Sequence, residues 1–233
     1  MIPKFVSGAA AKIYELRNRN TSAASAGDTM TIRLHRGDLP DLSRYSGPVA
    51  IDTETMGLDP RRDRLCVVQL SPGDGSADVV QIPPGASDAP NLKRLLADTA
   101  TLKIFHFARF DLLALYRAFG VMAGPVYCTK IASRLARTYT DKHGLKDLVR
   151  EVLGIEVSKQ QQSSDWGAEQ LSEAQVSYAA SDVLHLHALK SKLDAMLVRE
   201  GRAELAAGCF KFLPDRVRLD HAGWAAEDIF AHS

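Results

Sequence analysis

The sequence predicts an α/β chain in which a mixed sheet, an antiparallel meander plus parallel strands, is flanked by helices. Two observations carry this expectation. The runs PVAIDTET, LCVVQLSP and ADVVQIPP are short, rich in β-branched residues and bounded by Gly, Pro or Asp, as in a three-stranded meander. Two further short apolar runs, KIFHF and VYCT, alternate with segments of helical spacing and read as added strands.

In chain order, residues 1–29 read as a flexible N-terminal extension. Asn18 to Asp28 is small and polar, and Met30 offers an alternative natural start. Met30 opens a patterned segment, TIRLHRGDLPDL, that leads into the three meander runs. NLKRLLADTA is helical in spacing, KIFHF is a buried strand, and ARFDLLALYRAFG is a helix stopped by Gly120. After VYCT come the helices KIASRLARTY and GLKDLVREVLG, then one long helix from Ser172 to Gly201. The main domain is expected over 30–207. Residues 208–233 are expected to form a tail that packs on the body or makes an oligomer contact.

Composition narrows the function. The 233 residues carry 29 Lys and Arg against 28 Asp and Glu, a net charge of +1, and 45% are hydrophobic. That apolar share supports a core and excludes a disordered or low-complexity chain. Near-neutrality argues against coating nucleic acid through bulk charge, but leaves room for a local basic groove. Cys66, Cys128 and Cys209 are too scattered for a disulfide framework, which points to a reducing, cytoplasmic setting. No apolar run is long enough to span a membrane.

Five residues carry the chemistry. Asp52 and Glu54 sit two apart on the first meander strand and therefore on one face. Two carboxylates side by side repel, and a hard divalent cation relieves that repulsion. Asp111 lies near the start of an apolar helix. Tyr178 and Asp182 are four apart on a helix and share a face, with small residues Ala179, Ala180 and Ser181 between them. A phenol beside a metal-binding carboxylate can hold a water molecule for attack.

The ordered set D-x-E, D, Y-x-x-x-D resembles the DEDD superfamily of 3′–5′ exonucleases, in the branch with Tyr in the third motif. AIDTETMGLDP is similar to the first motif, FHFARFDLLAL to the second and LSEAQVSYAASDV to the third. LGIEVSKQQQSSDWGAEQLSEAQ resembles the segment before the third motif of RNase D-like proteins. The likeness covers about residues 48–200 and implies an RNase H-like fold. It also implies that Asp52, Glu54, Asp111 and Asp182 hold two divalent ions, Mg²⁺ or Mn²⁺, across a scissile phosphate. One ion would prepare the attacking water, the other would stabilise the leaving 3′ oxygen, and Tyr178 would orient the water.

Substrate contacts implied by the same likeness are Thr53 and Gly57 near the terminal nucleotide, and Leu58 as an apolar wedge between the last two bases. His106 is implied as a phosphate contact and Phe110 as a stacking surface, with Phe107 beside it. Lys159, Gln160, Gln162 and Trp166 are expected on phosphate and sugar. For Leu58, His106, Phe107, Phe110 and Trp166, core packing stands as the alternative. The opening TIRLHRGDLPDLSRY and the tail RLDHAGWAAEDIFAHS look most like the nano-RNase C group. That group degrades very short RNAs, notably dinucleotides such as pGpG, as ring-like homo-octamers. Short RNA, with single-stranded DNA as a second partner, is the expected substrate. A general RNase D-like enzyme trimming longer 3′ ends is the rival reading, and an inactive nucleic-acid-binding module a remote one.

Overall fold

The computed structural model describes residues 12–17, 29–59, 62–157, 161 and 163–232. Seven strands form one sheet in the order β1-β2-β5-β4-β3-β6-β7. β3 (Val49–Thr55), β4 (Leu65–Ser71) and β5 (Ala77–Gln81) are the expected antiparallel meander. β6 (Lys103–Phe105) and β7 (Val126–Cys128) extend it in parallel beyond β3. The mixed sheet flanked by helices agrees with the expected fold class.

On the other edge, β2 (Thr29–Arg36) runs parallel to β5, and β1 (Lys12–Arg17) pairs antiparallel with β2. Part of the segment expected to be a flexible extension is therefore an edge strand. KIYELR mixes β-branched and aromatic residues with charged ones, which suits a strand with one neighbour. The linker-like stretch Asn18 to Asp28 lies outside the described residues.

Alternation along β3 sorts its side chains between two cores. Val49 and Ile51 join the layer formed with α1 (Pro90–Ala97), α2 (Ala108–Phe119) and α7 (Ala203–Leu219). Ala50 joins the opposite layer, formed with α3 (Thr129–Ala136), α5 (Glu173–Leu184) and α6 (Leu186–Arg199). Asp52 and Glu54 continue the Ala50 row, and Thr53 continues the Ile51 row. The carboxyl end of β3 thus meets helices from both faces.

Three helical details bear on the site. α4 (Leu145–Leu148) continues as a wider π turn over Val149–Leu153 and stops at Gly154, whose φ of 72° favours glycine. The long helix expected from Ser172 is two helices that meet at His185. No glycine or proline marks that break, so apolar periodicity reads straight through it. α7 crosses the expected boundary at 207/208. It buries Leu213 and Val217, and its end is fixed to α2 by Arg109, which shares the buried carboxylate of Asp220 with Arg216 of α7 itself. α7 therefore packs on the body. No helix among the described residues is long and apolar enough to cross a membrane.

Candidate metal and nucleic-acid site

Local structure delivers each acid to one place. Asp52 and Glu54 leave the same face of β3 just before a register shift between Glu54 and Thr55. α5 starts at a capping box: Ser172 Oγ accepts from the Gln175 backbone N–H, and Gln175 Oε1 accepts from the Ser172 N–H. Ala179 and Ala180 are fully buried, which lets α5 lie close to the sheet. Tyr178 and Asp182, one turn apart, then face the two β3 acids. Carboxylate oxygens of Asp52, Glu54 and Asp182 lie within 4.8 Å of one another.

Asp111 arrives from the other layer. It is buried on α2, and the Thr53 hydroxyl donates to its Oδ1 at 2.7 Å. Thr53, expected at the terminal nucleotide, is buried and spends its hydroxyl on this carboxylate. The fourth acid is thus set by the residue between the first two.

Few donors serve these acids. Gln69, directly opposite Asp52 on β4, donates through Nε2 to Asp52 Oδ2 at 3.3 Å. Asp182 Oδ1 is buried without a hydrogen-bond partner. Burial first, then the charges of Asp111, Asp182 and Glu54, pushes Asp52 well above the ordinary carboxylate range. Burial, then Asp182 and Asp111, raises Glu54 to about 8, with Lys146 pulling the other way. Burial raises Asp111 to about 7 against the Thr53 hydrogen bond. It raises Asp182 to about 6, opposed by Lys146 and by the Tyr178 hydroxyl. Tyr178 itself is pushed up by burial and by Asp182 and Glu54, so its phenol stays protonated.

This donor set fits a divalent cation. It is all carboxylate oxygen, it is charge-frustrated, and one buried oxygen lacks a partner; a hard cation relieves each of these at once. Lys146 faces the cluster: its Nζ is 3.5 Å from the Tyr178 hydroxyl and 4.8 Å above that ring. Neither Gln69 nor Lys146 was expected from sequence. A glutamine inside the apolar run LCVVQLS was a legible signal for the first. Lys146 had none, since its place depends on how α4 meets α5.

The remaining candidates divide. Leu58 is 89% exposed on the loop after β3, so it is not a core leucine. A Cβ at Gly57 would lie 2.3 Å from Asp63 Oδ2, so any side chain there would displace the Asp63 carboxylate. Phe110 is half-buried on the first turn of α2. His106 is held neutral, lowered to about 3 by burial and by Lys130, with Nδ1 2.9 Å from Thr129 Oγ1. It ties the turn before α2 to the start of α3. Trp166 is buried with its ring 6.0 Å from that of Tyr178, so it packs against the tyrosine. Lys159, Gln160 and Gln162 lie outside the described residues.

Comparison with known proteins points the same way. A family model described as 3′–5′ exonuclease matches residues 39–198. Ribonuclease D of Gluconacetobacter diazotrophicus is 38% identical over 167 residues, covering 72% of this chain and 42% of that protein. The chain thus spans well under half the length of that curated relative. Brucella melitensis NrnC bound to pGG is 63% identical, with a TM-score of 0.85 over 88% of this chain and 100% of that one. The same protein with bound Mg²⁺ is 61% identical, with a TM-score of 0.84 over 87% and 99%.

Proposed function

The chain belongs to the 3′–5′ exonuclease family, and on that premise we propose that it hydrolyses short RNA, dinucleotides such as pGpG above all, from the 3′ end to nucleoside 5′-monophosphates. The observation that carries this reading is the convergence of Asp52, Glu54 and Asp182 within 4.8 Å, beside Tyr178 and with one buried oxygen unpartnered. Members of the family use divalent metal ions, and Asp52, Glu54, Asp111 and Asp182 are the residues that would hold them. When bound, such ions lower the pKa of water and stabilise charge on the phosphate oxygens.

The chain's own residues do the rest. The protonated phenol of Tyr178 donates to or accepts from the attacking water and orients it; a group raised this far does not act as a base. Lys146 holds the phenol in place and offsets the charge of Glu54 and Asp182. Thr53 fixes Asp111 at the meeting of the two layers. Leu58, exposed beside the acids, is the apolar wedge against the terminal bases, and Gly57 keeps that loop tight. Attack on phosphorus breaks the bond to the 3′ oxygen, which leaves a new 3′ hydroxyl and a nucleoside 5′-monophosphate.

The finer points are proposals of the same kind. A homo-octamer is supported by exposed Leu205, Phe212, Trp224, Ile229 and Phe230 in the C-terminal segment. A cytoplasmic setting is supported by three unpaired cysteines. Timed digestion of 5′-labelled RNAs of two, three, seven and about twenty nucleotides, with Mg²⁺ or Mn²⁺ and an EDTA control, tests the reading. Much faster loss of the dinucleotide is the expected result. Stepwise shortening of every length, or of single-stranded DNA, at one rate replaces it with a general trimming enzyme; no metal-dependent cleavage sinks it.

A further inference from the structure

Gln69 interrupts the apolar run of β4 and is fully buried. On the same face, Val67 lies two residues before it and Val79 lies opposite it on β5, and both are fully buried. α5 packs over this part of the sheet through its buried Ala179 and Ala180. An amide taken out of water in such surroundings costs free energy unless both of its ends are bonded. Here one end is: Nε2 donates to Asp52 Oδ2 at 3.3 Å, whereas Oε1 is buried without a hydrogen-bond partner. An aliphatic side chain, as at Val67, would spare the fold that cost. What the amide gives in return is a hold on Asp52.

Asp52 needs that hold. Its carboxylate is bonded to β4 through Oδ2, and one of its oxygens lies within 4.8 Å of oxygens from Glu54 and Asp182. Like charges repel across such a distance, and an aspartate released from its donor can turn about its side-chain torsions to move away. We propose that Gln69 is a positioning residue for the metal site: its amide holds the Asp52 carboxylate where it converges with Glu54 and Asp182, and so sets how tightly a divalent cation binds. Gln69 acts through Asp52 and makes no contact of its own with substrate. Strand register supplies the aim, because Gln69 stands directly opposite Asp52 in the β3–β4 ladder. Groups that orient a metal ligand in this way are worth about 10- to 100-fold in metal affinity.

This inference rests on the metal-binding reading above, and the test reads the metal without RNA. Mn²⁺ binding to the full native chain and to Gln69→Met is followed by calorimetry at pH 8, beside melts of the metal-free proteins. Methionine keeps the length of glutamine and removes the donor. Gln69→Met is expected to raise the Mn²⁺ Kd by about 10- to 100-fold. Its metal-free melting temperature is expected to equal or exceed the native one, since the unpartnered oxygen leaves with the amide. In dinucleotide hydrolysis the variant should need about 10- to 100-fold more Mn²⁺ for half-maximal turnover, and excess Mn²⁺ should restore most of the loss. Gln69→Asn, whose amide is too short to span the two strands, should behave as Gln69→Met does. A native Mn²⁺ Kd in either variant overturns the proposal, and a lower metal-free melting temperature beside it would assign Gln69 to packing alone. Should both variants fail to fold, a Mn²⁺-loaded crystal structure of the native chain decides. Gln69 Nε2 is expected still on Asp52, and an amide turned away from Asp52 overturns the proposal. A native chain that binds no Mn²⁺ sinks the metal-binding reading and this inference together, whereas equal binding by native chain and variants sinks the inference alone.

Discussion

Two carboxylate clusters on the same sheet are treated in opposite ways. Asp78, on β5, accepts from Arg44 Nη1 at 2.5 Å and from the Tyr45 hydroxyl at 2.6 Å, and His35 Nε2 lies 2.8 Å from its other oxygen. Burial pulls its pKa up, but those partners outweigh burial and hold it below the ordinary value. At the end of β3, Asp52, Glu54, Asp111 and Asp182 share few donors, and burial drives all four upward. One cluster is complete within the chain. The other is complete only with a cation. Satisfied burial marks a residue that holds the fold, and frustrated burial marks one kept for a ligand.

The contrast can be broken most sharply at Asp182. Asp182→Ala is expected to lower hydrolysis by about 10³-fold or more while leaving the metal-free protein as stable as before or slightly more so. Steady-state assays beside thermal melts check both halves, and retained turnover would remove Asp182 from the chemistry. Asp78→Ala should do the reverse. It strands Arg44 and the Tyr45 hydroxyl around a buried site, so unfolding free energy should fall by about 3 kcal/mol. Turnover well below the melting temperature should stay near native; urea denaturation gives the number.

Smaller effects sharpen the picture inside the site. Tyr178→Phe and Lys146→Met are each expected to cost about 10- to 100-fold in kcat with little change in KM. Because Lys146 acts partly through the phenol, the double variant should lose less than the product of the two. Full additivity would show that the lysine works independently. Thr53→Val is the mildest change. It frees Asp111 from its hydrogen bond and should raise that carboxylate further, moving the acid limb of the kcat/KM profile to higher pH.

Legibility followed the same division. Asp52 with Glu54, and Tyr178 with Asp182, are each related by one local repeat, two residues on a strand or four on a helix, so the chain alone reveals them. The meander was legible because its strands are bounded by turn residues. Gln69 was legible only as a polar residue in an apolar run, its partner being set by strand register, and Lys146 was not legible, because its place depends on how two helices meet. Trp166 and His106 were placed in the site by their neighbours in sequence, but burial decides what they touch, and burial is a tertiary fact. Thr53 was legible as a site residue, yet its partner, Asp111, lies 58 positions away on the other layer.

The two clusters also set opposite pH slopes. Asp78, lowered in the fold, adds stability above the pKa of an unfolded carboxylate, and that stability is lost as pH falls. The site acids are raised, so the native state binds more protons than the unfolded one, and metal-free stability falls as pH climbs from about 4 to about 8. A divalent cation reverses that loss, because it binds the deprotonated carboxylates of the folded chain alone.

The most direct measurement is the melting temperature of the native chain against Mn²⁺ concentration at pH 5.5 and at pH 8, with Asp182→Ala alongside. The account expects saturating metal to raise the melting temperature by about 5–10 °C at pH 8, far less at pH 5.5, and hardly at all in Asp182→Ala. A native chain at pH 8 that gains nothing from metal, or an Asp182→Ala chain that gains as much, would contradict it.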